Sequence, residues 1–423
     1  MMDMPLRLIR SRQEMTRFFD GYATQRMEEL DERKLRGPLV KTHLIELLNG
    51  RCTPTPSGLQ AIFERRRVHL EPLEDGLFLA TDAQREVGFV ESLRPRIVAL
   101  YSTWKSKDIR AWVRRLVLRS PEIDHVWLSG LTFRVLWDLV ARLSQPRRFT
   151  RLVFTHDSIF DIDSRGSGLE EEDEQEEEEE ETSEDSRDED LAQVVERRET
   201  SFRMVDRIGV IQEKLAQLQR DYSPLYAISQ LRFPSPVSRG GHDFYDNGQV
   251  TNRSESFRDH RSHLLFIVRI YEQLLRATEE QAWYSIRESV GVPGQFRKIV
   301  GAPVVVRFRE PLSQEVFDQW IDATFKRKRN RFRLWGHPVR LGPTKVHVYG
   351  VDRHLWQPLF LELTAKGCIA IVPNGTCGNT VHRLVTNIQR YLDPGADAFI
   401  GDRPYTDMVE ESARGVPYDL DAG

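Results

Sequence analysis

Residues 170–190, EEEDEQEEEEEETSEDSRDED, carry sixteen acidic side chains and one arginine, and no hydrophobic core can accept them. A run of like charges without apolar periodicity repels itself and stays solvated, so residues 164–192 are expected to form a disordered acidic linker. That linker divides the 423-residue chain into parts expected to fold as separable pieces. It also conceals a charge imbalance. The net charge is −4, yet outside the run 49 acidic residues face 60 basic ones, an excess of about +11.

A basic folded part beside a tethered polyanion points toward anionic partners, nucleic acid first. The acidic run then reads either as a solvated spacer or as an internal competitor for the basic surface. Only ten of the 61 cationic residues are lysine, which reads mainly as genomic base composition, although arginine also suits bidentate phosphate contacts better. Hydrophobic residues at 39% and charged residues at 30% describe a chain with a highly polar surface. Its most apolar stretch, HLLFIVRIY at 263–271, contains an arginine and is far too short to span a membrane. The N-terminus has no signal-peptide core, and Cys52, Cys368 and Cys377 form no C-x-x-C pair. A cytoplasmic location without a disulfide framework or thiolate zinc centre is therefore expected.

The expected class is α/β, as a mixed α/β multidomain chain. Residues 1–80 read as helices over 11–33, 37–49 and 53–67, followed by a hairpin at 68–80. Helices followed by a hairpin give the order of a winged helix-turn-helix, with Arg65, Arg66 and Arg67 ending the helix that would face a major groove. Residues 81–163 alternate apolar strands and amphipathic helices, as parallel β-α-β units do. The acidic linker at 164–192 follows, and residues 193–297 read as an α+β segment with a long helix starting at Ser256. There Asp259 completes a capping box. Residues 298–408 form a C-terminal α/β domain, with helices over 313–328, 353–366 and 378–392, and residues 409–423 a tail.

Two stretches carry the main site expectations. FKRKRNRFRLWG, residues 325–336, holds six basic and three aromatic side chains. Lys326, Arg327 and Lys328 complement the dipole of a helix end and need no ligand. In the strand that follows, alternation places Arg331, Arg333 and Trp335 on one face, with Arg340 returning to it past a turn at Gly336-His337-Pro338. Arginines beside an exposed ring could pair phosphates while a base stacks. The second stretch is CIAIVPNGTCGNTVHR, residues 368–383, a strand, a Gly-rich loop and a helix. Gly375, Gly378, Asn379 and Thr380, together with Arg383, could cradle an anion at the helix N-terminus. Cys377 and Arg383 also have the spacing of cysteine phosphatases, although the glycine follows the cysteine directly and no hydroxyl residue follows the arginine.

Other clusters read as structural. Asp157, Asp161 and Asp163 could hold Mg²⁺, but they run straight into the acidic linker. His260 and His263 lie three apart at the start of the long helix, near Asp259 and with His242 and Asp243 upstream; metal ligation would need them convergent, but His260 falls on the helix's apolar stripe and reads as a satisfied, half-buried histidine. No metal and no cofactor is therefore expected. The chain lacks a Walker A sequence, G-x-S-x-G, H-E-x-x-H and the kinase set. The expected function is a cytosolic, prokaryote-like, nucleic-acid-associated regulatory or accessory protein, working on nucleic acid or within a nucleic-acid-handling complex and away from membranes. The alternatives are an enzyme on phosphate esters using the 374–383 loop, or a protein-interaction scaffold without catalysis.

Overall fold

The computed structural model describes residues 5–32, 37–48, 55–83, 85–157, 199–220, 222–288, 297–325 and 332–418. Among them, eleven strands form the first sheet: β1 (Lys41–Leu47), β2 (Val68–Glu74), β3 (Leu77–Asp82), β4 (Arg85–Arg94), β5 (Ile97–Ser102), β6 (Ile123–His125), β7 (Phe149–Asp157), β8 (Glu199–Arg207), β9 (Ile228–Pro234), β10 (Gly240–Tyr245) and β11 (Gln249–Ser254). Their order is β2-β3-β4-β5-β1-β11-β10-β9-β7-β8, with β6 also paired to β1. Every pairing in this sheet is antiparallel, so the parallel β-α-β units expected from strand–helix alternation are not what forms. Periodicity identifies strands and helices but carries no information on which strands become neighbours.

The second sheet comprises β12 (Trp283–Glu288), β13 (Arg297–Val300), β14 (Val304–Arg307), β15 (Leu334–Gly342), β16 (Lys345–Asp352), β17 (Gln357–Thr364), β18 (Gly367–Pro373), β19 (Asp397–Ile400) and β20 (Arg403–Pro404). Its order is β15-β16-β17-β18-β14-β19-β20, and β12 adds to β18 in parallel. The helices are α1 (Arg12–Asp31), α2 (Pro56–Glu64), α3 (Ser106–Leu118), α4 (Gly130–Leu143), α5 (Ile208–Leu218), α6 (Phe257–Ala282), α7 (Gln314–Phe325), α8 (Asn379–Tyr391) and α9 (Tyr405–Ala413). The chain is thus mixed α/β. No helix among the described residues is long and apolar enough to cross a membrane.

Two expected helices are strands. Residues 37–49 contain β1, all seven residues of which are buried. Val40 and Leu44 enter one core while Ile45 and Leu47 enter another on the opposite face. A strand buried on both faces is apolar without alternation, which is why its spacing resembles a helix. Residues 353–366 contain β17, where Leu359, Leu361 and Leu363 point inward and the residues between them outward. That period of two is a strand signature. Because β1 is central to the sheet and the β2–β3 hairpin pairs onward to β4, residues 1–80 do not form a winged helix-turn-helix. Gly336-His337-Pro338 lies inside β15, and the reversal falls at 343–344 instead.

α4 and α6 tie the two sheets together. From α4, Phe133, Leu136 and Val140 pack in the core under the first sheet, whereas Leu131 and Val135 pack under the second. Over its 26 residues α6 does the same, with Phe257 to Leu275 in the first core and Leu274 and Ala282 in the second. α2 and α3 cover the other face of the first sheet through Leu59, Phe63, Ile109, Trp112 and Val113.

The acidic segment falls outside the described residues, but its anchors do not. β7 and β8, which flank it, pair with each other from Phe149↔Arg207 to Asp157↔Glu199. It therefore joins two strands of one hairpin rather than two independent bodies. Limited proteolysis within 164–192 should leave two fragments that stay together in native size-exclusion chromatography and part only in denaturant. Native elution as separate pieces would contradict this hairpin.

Candidate functional site

The Gly-rich loop after β18 leads into α8 at the contact between the two sheets, and its polar groups are held by this chain's own carboxylates. Glu46, on β1, is completely buried and accepts four hydrogen bonds. Its Oε1 takes Arg96 Nη2 at 2.9 Å and the Cys377 thiol at 3.2 Å. Its Oε2 takes Tyr271 Oη at 2.8 Å and Asn379 Nδ2 at 2.9 Å. Arg96, in the β4–β5 turn, also forks onto Glu279 at 2.9 and 3.0 Å. Glu279 in turn accepts the Gly378 N–H at 3.1 Å, and Gln357 accepts the Cys377 N–H at 2.9 Å. A helix N-terminus offers exposed amide donors to an anion. Here that anion is the Glu279 carboxylate.

The next turn of α8 repeats the pattern. Arg383 is buried, and its guanidinium bonds Asp124 of β6 with one nitrogen and Asp352 of β16 with another. Asp352 also accepts Thr380 Oγ1 at 2.8 Å and the amides of His354 and Leu355 at 3.0 Å each. Asp124 takes Arg333 Nη1 at 3.2 Å. Burial opposes its ionisation, but Arg383, His354 and Arg333 outweigh that cost and hold its carboxyl below the usual aspartate range.

The chemistry of this junction is accordingly quiet. Burial, followed by the charge of Glu46, pushes the Cys377 thiol well above its ordinary value, so it is no nucleophile near neutral pH. Burial likewise raises Glu46 despite Arg96. Of the expected anion cradle, Gly378, Asn379, Thr380 and Arg383 are all engaged internally, while Gly375 sits at φ +86° in the exposed turn.

The residues expected on one basic-aromatic strand face are not brought together. Arg331, with Lys326, Arg327 and Lys328, lies outside the described residues. Arg333 precedes β15 at φ +51° and turns inward onto Asp124, 5.9 Å above the Trp127 ring. Left-handed backbone at that position breaks the alternation on which the expectation rested. Trp335 is exposed opposite Val351, on a sheet face that also carries His337, Val339, Tyr349 and Phe360 and the His347–Glu362 pair. Arg340 bonds Asp318 of α7 and the Pro343 carbonyl.

Arg65, Arg66 and Arg67 end α2 at the surface, beside α3. Arg66 Nε donates to Ser120 Oγ at 3.1 Å, joining the end of α2 to the end of α3, and Arg65 pairs with Glu122 at 2.6 Å. α3 buries Ile109, Trp112, Val113, Leu116 and Val117 and turns Lys107, Arg114, Arg115 and, just past its end, Arg119 to solvent. Asp108 is the acidic residue in its first turn. These cations fall at helical spacing in SKDIRAWVRRLVLR, a signal present in the sequence itself.

With this geometry in hand, the chain belongs to the MJECL33-like protein family, whose match covers residues 4–404. A relative from Methanocaldococcus jannaschii, "Uncharacterized protein MJECL33", is 23% identical over 385 residues, covering 86% of this chain and 87% of that protein. No solved structure matches the chain.

Removing one member of a buried ion pair strands its partner, so Arg383→Met should lower unfolding free energy by about 3–5 kcal/mol in urea titration. Arg340→Ala, which breaks an exposed pair, should cost less than about 1 kcal/mol. Asp124 titrates lower in the folded chain than in the unfolded one. The stability it contributes is present above the ordinary carboxylate range and fades as pH falls through it. The urea midpoint should therefore drop below about pH 5, and Asp124→Asn should flatten that dependence.

Proposed function

We propose that this protein is a nucleic-acid-associated regulatory or accessory protein whose phosphate-binding surface is the outer face of α3 with the end of α2. One observation carries the reading: Arg65, Arg67, Lys107, Arg114, Arg115 and Arg119 are exposed around two helix ends that a direct hydrogen bond holds together. α3 has 13 residues and spans about 20 Å, long enough to follow several phosphates of a duplex. Arginine's fixed fork suits such contacts, and Trp104, capped by Arg85 at 4.2 Å, stands at the start of the same helix. A cytoplasmic setting suits the free thiols of Cys368 and Cys377. The phosphate-ester alternative gains no support from the 374–383 loop, where the thiol is held protonated and Arg383 is already paired.

Fluorescence anisotropy of labelled duplex and single-stranded oligonucleotides with the full chain tests the proposal. Affinity should fall steeply between about 50 and 200 mM salt, because phosphate contacts release counterions. Arg114→Ala, Arg115→Ala and Arg119→Ala combined should weaken binding and reduce the duplex salt slope by up to about 2.7. Circular dichroism checks that the variant remains folded. Binding insensitive to salt, or unchanged in the folded triple variant, would overturn the assignment.

A further inference from the structure

Four titratable side chains cluster where β10 meets the first turns of α6, far in character from the basic surface. His242 comes from β10, and Asp259, His260 and His263 from α6; all four are buried. His242 Nε2 lies 2.9 Å from Asp259 Oδ2, and His263 Nδ1 lies 3.1 Å from Asp259 Oδ1 and 2.8 Å from the Asp259 backbone carbonyl oxygen. The ligand atoms of His242, Asp259 and His263 all fall within 4.8 Å of one another. We infer that His242, Asp259 and His263 form a structural binding site for a divalent transition-metal ion of the zinc class.

The donor set fits the ion. Two imidazoles and a carboxylate are borderline ligands suited to Zn²⁺, Co²⁺ or Fe²⁺. Tetrahedral ligands about 2.0 Å from zinc lie about 3.3 Å apart, close to both nitrogen–oxygen separations here.

The surroundings orient the ligands. His242 Nδ1 meets His260 Nδ1 at 3.2 Å, and His260 Nε2 meets Thr42 Oγ1 at 2.8 Å. His263 Nε2 pairs with the Tyr418 hydroxyl, from the segment after α9. Each metal-facing nitrogen therefore leaves its ring partner hydrogen-bonded, as outer partners of metal ligands do. Asp243 is excluded from the cluster, because alternation along β10 turns it to Arg232 and Arg253. Only one arm of the capping box forms: Ser256 Oγ accepts the Asp259 amide at 3.1 Å, while the Ser256 amide donates to Ser254 Oγ, so the Asp259 carboxylate faces the histidines. Complete burial keeps substrate out, which makes the site structural rather than catalytic.

The test uses the full chain without a histidine tag, stripped with chelator and titrated with Co²⁺ and then Zn²⁺. One equivalent of Co²⁺ should give a visible ligand-field spectrum and paramagnetically shifted imidazole N–H resonances, both erased by Zn²⁺. Asp259→Asn should abolish this signature, and His260→Ala should weaken Co²⁺ binding by about 10–100-fold. If a variant fails to fold, the unsubstituted chain still decides. Co²⁺ bound without shifted imidazole resonances, as carboxylates of the acidic run alone would bind it, overturns the inference. So does the absence of stoichiometric binding.

Discussion

One buried guanidinium bonds carboxylates of both sheets. Arg383 reaches from α8 to Asp124 on β6 of the first sheet and to Asp352 on β16 of the second, and all three side chains are buried. A buried charge is tolerated only when paired and hydrogen-bonded, so this geometry demands that both sheets arrive in one relative position. The apolar contacts are less exacting. α4 and α6 contribute side chains to both cores, and a hydrophobic core tolerates small shifts that an ion pair between two carboxylates does not. Beside it, Glu46 gathers Arg96, Tyr271, Cys377 and Asn379 from three separate segments and reinforces the same alignment.

This use of polar groups redirects the functional reading. A helix N-terminus with a Gly-rich approach and a following arginine is well made for a phosphate, yet Glu279, Asp124 and Asp352 take the places an external anion would occupy. Burial, followed by the charge of Glu46, keeps the Cys377 thiol protonated. The outer face of α3, by contrast, presents exposed cations, and the proposed phosphate-binding surface rests on them. Its inner face is fully committed to Trp112 and its neighbours, so the outer face is free to carry charge.

The sequence was legible where one face of an element met solvent. α1, α3, α7 and α8 all fall within ranges that periodicity marks as helical, and the β2–β3 hairpin follows from its Asp75-Gly76 turn. Legibility failed for β1, whose residues feed cores on both faces and so show no alternation. β17 was readable, since its leucines recur at every second residue, but its apolar content also satisfies a helical template. At Arg333 a left-handed backbone reversed the direction that strict alternation assigns.

By itself the sequence determined the mixed α/β class and the basic excess outside the acidic run, because these follow from local pattern and charge count. It also held the cationic spacing of α3. The tertiary structure alone decided which charges remain available. Arg383 and Arg119 are indistinguishable as letters, but one lies between two buried carboxylates and the other faces water. It alone decided, too, that His242 and Asp259, seventeen residues apart, meet at 2.9 Å while adjacent Asp243 turns away. Pairing between distant segments depends on how whole sheets stack, and no local periodicity encodes that.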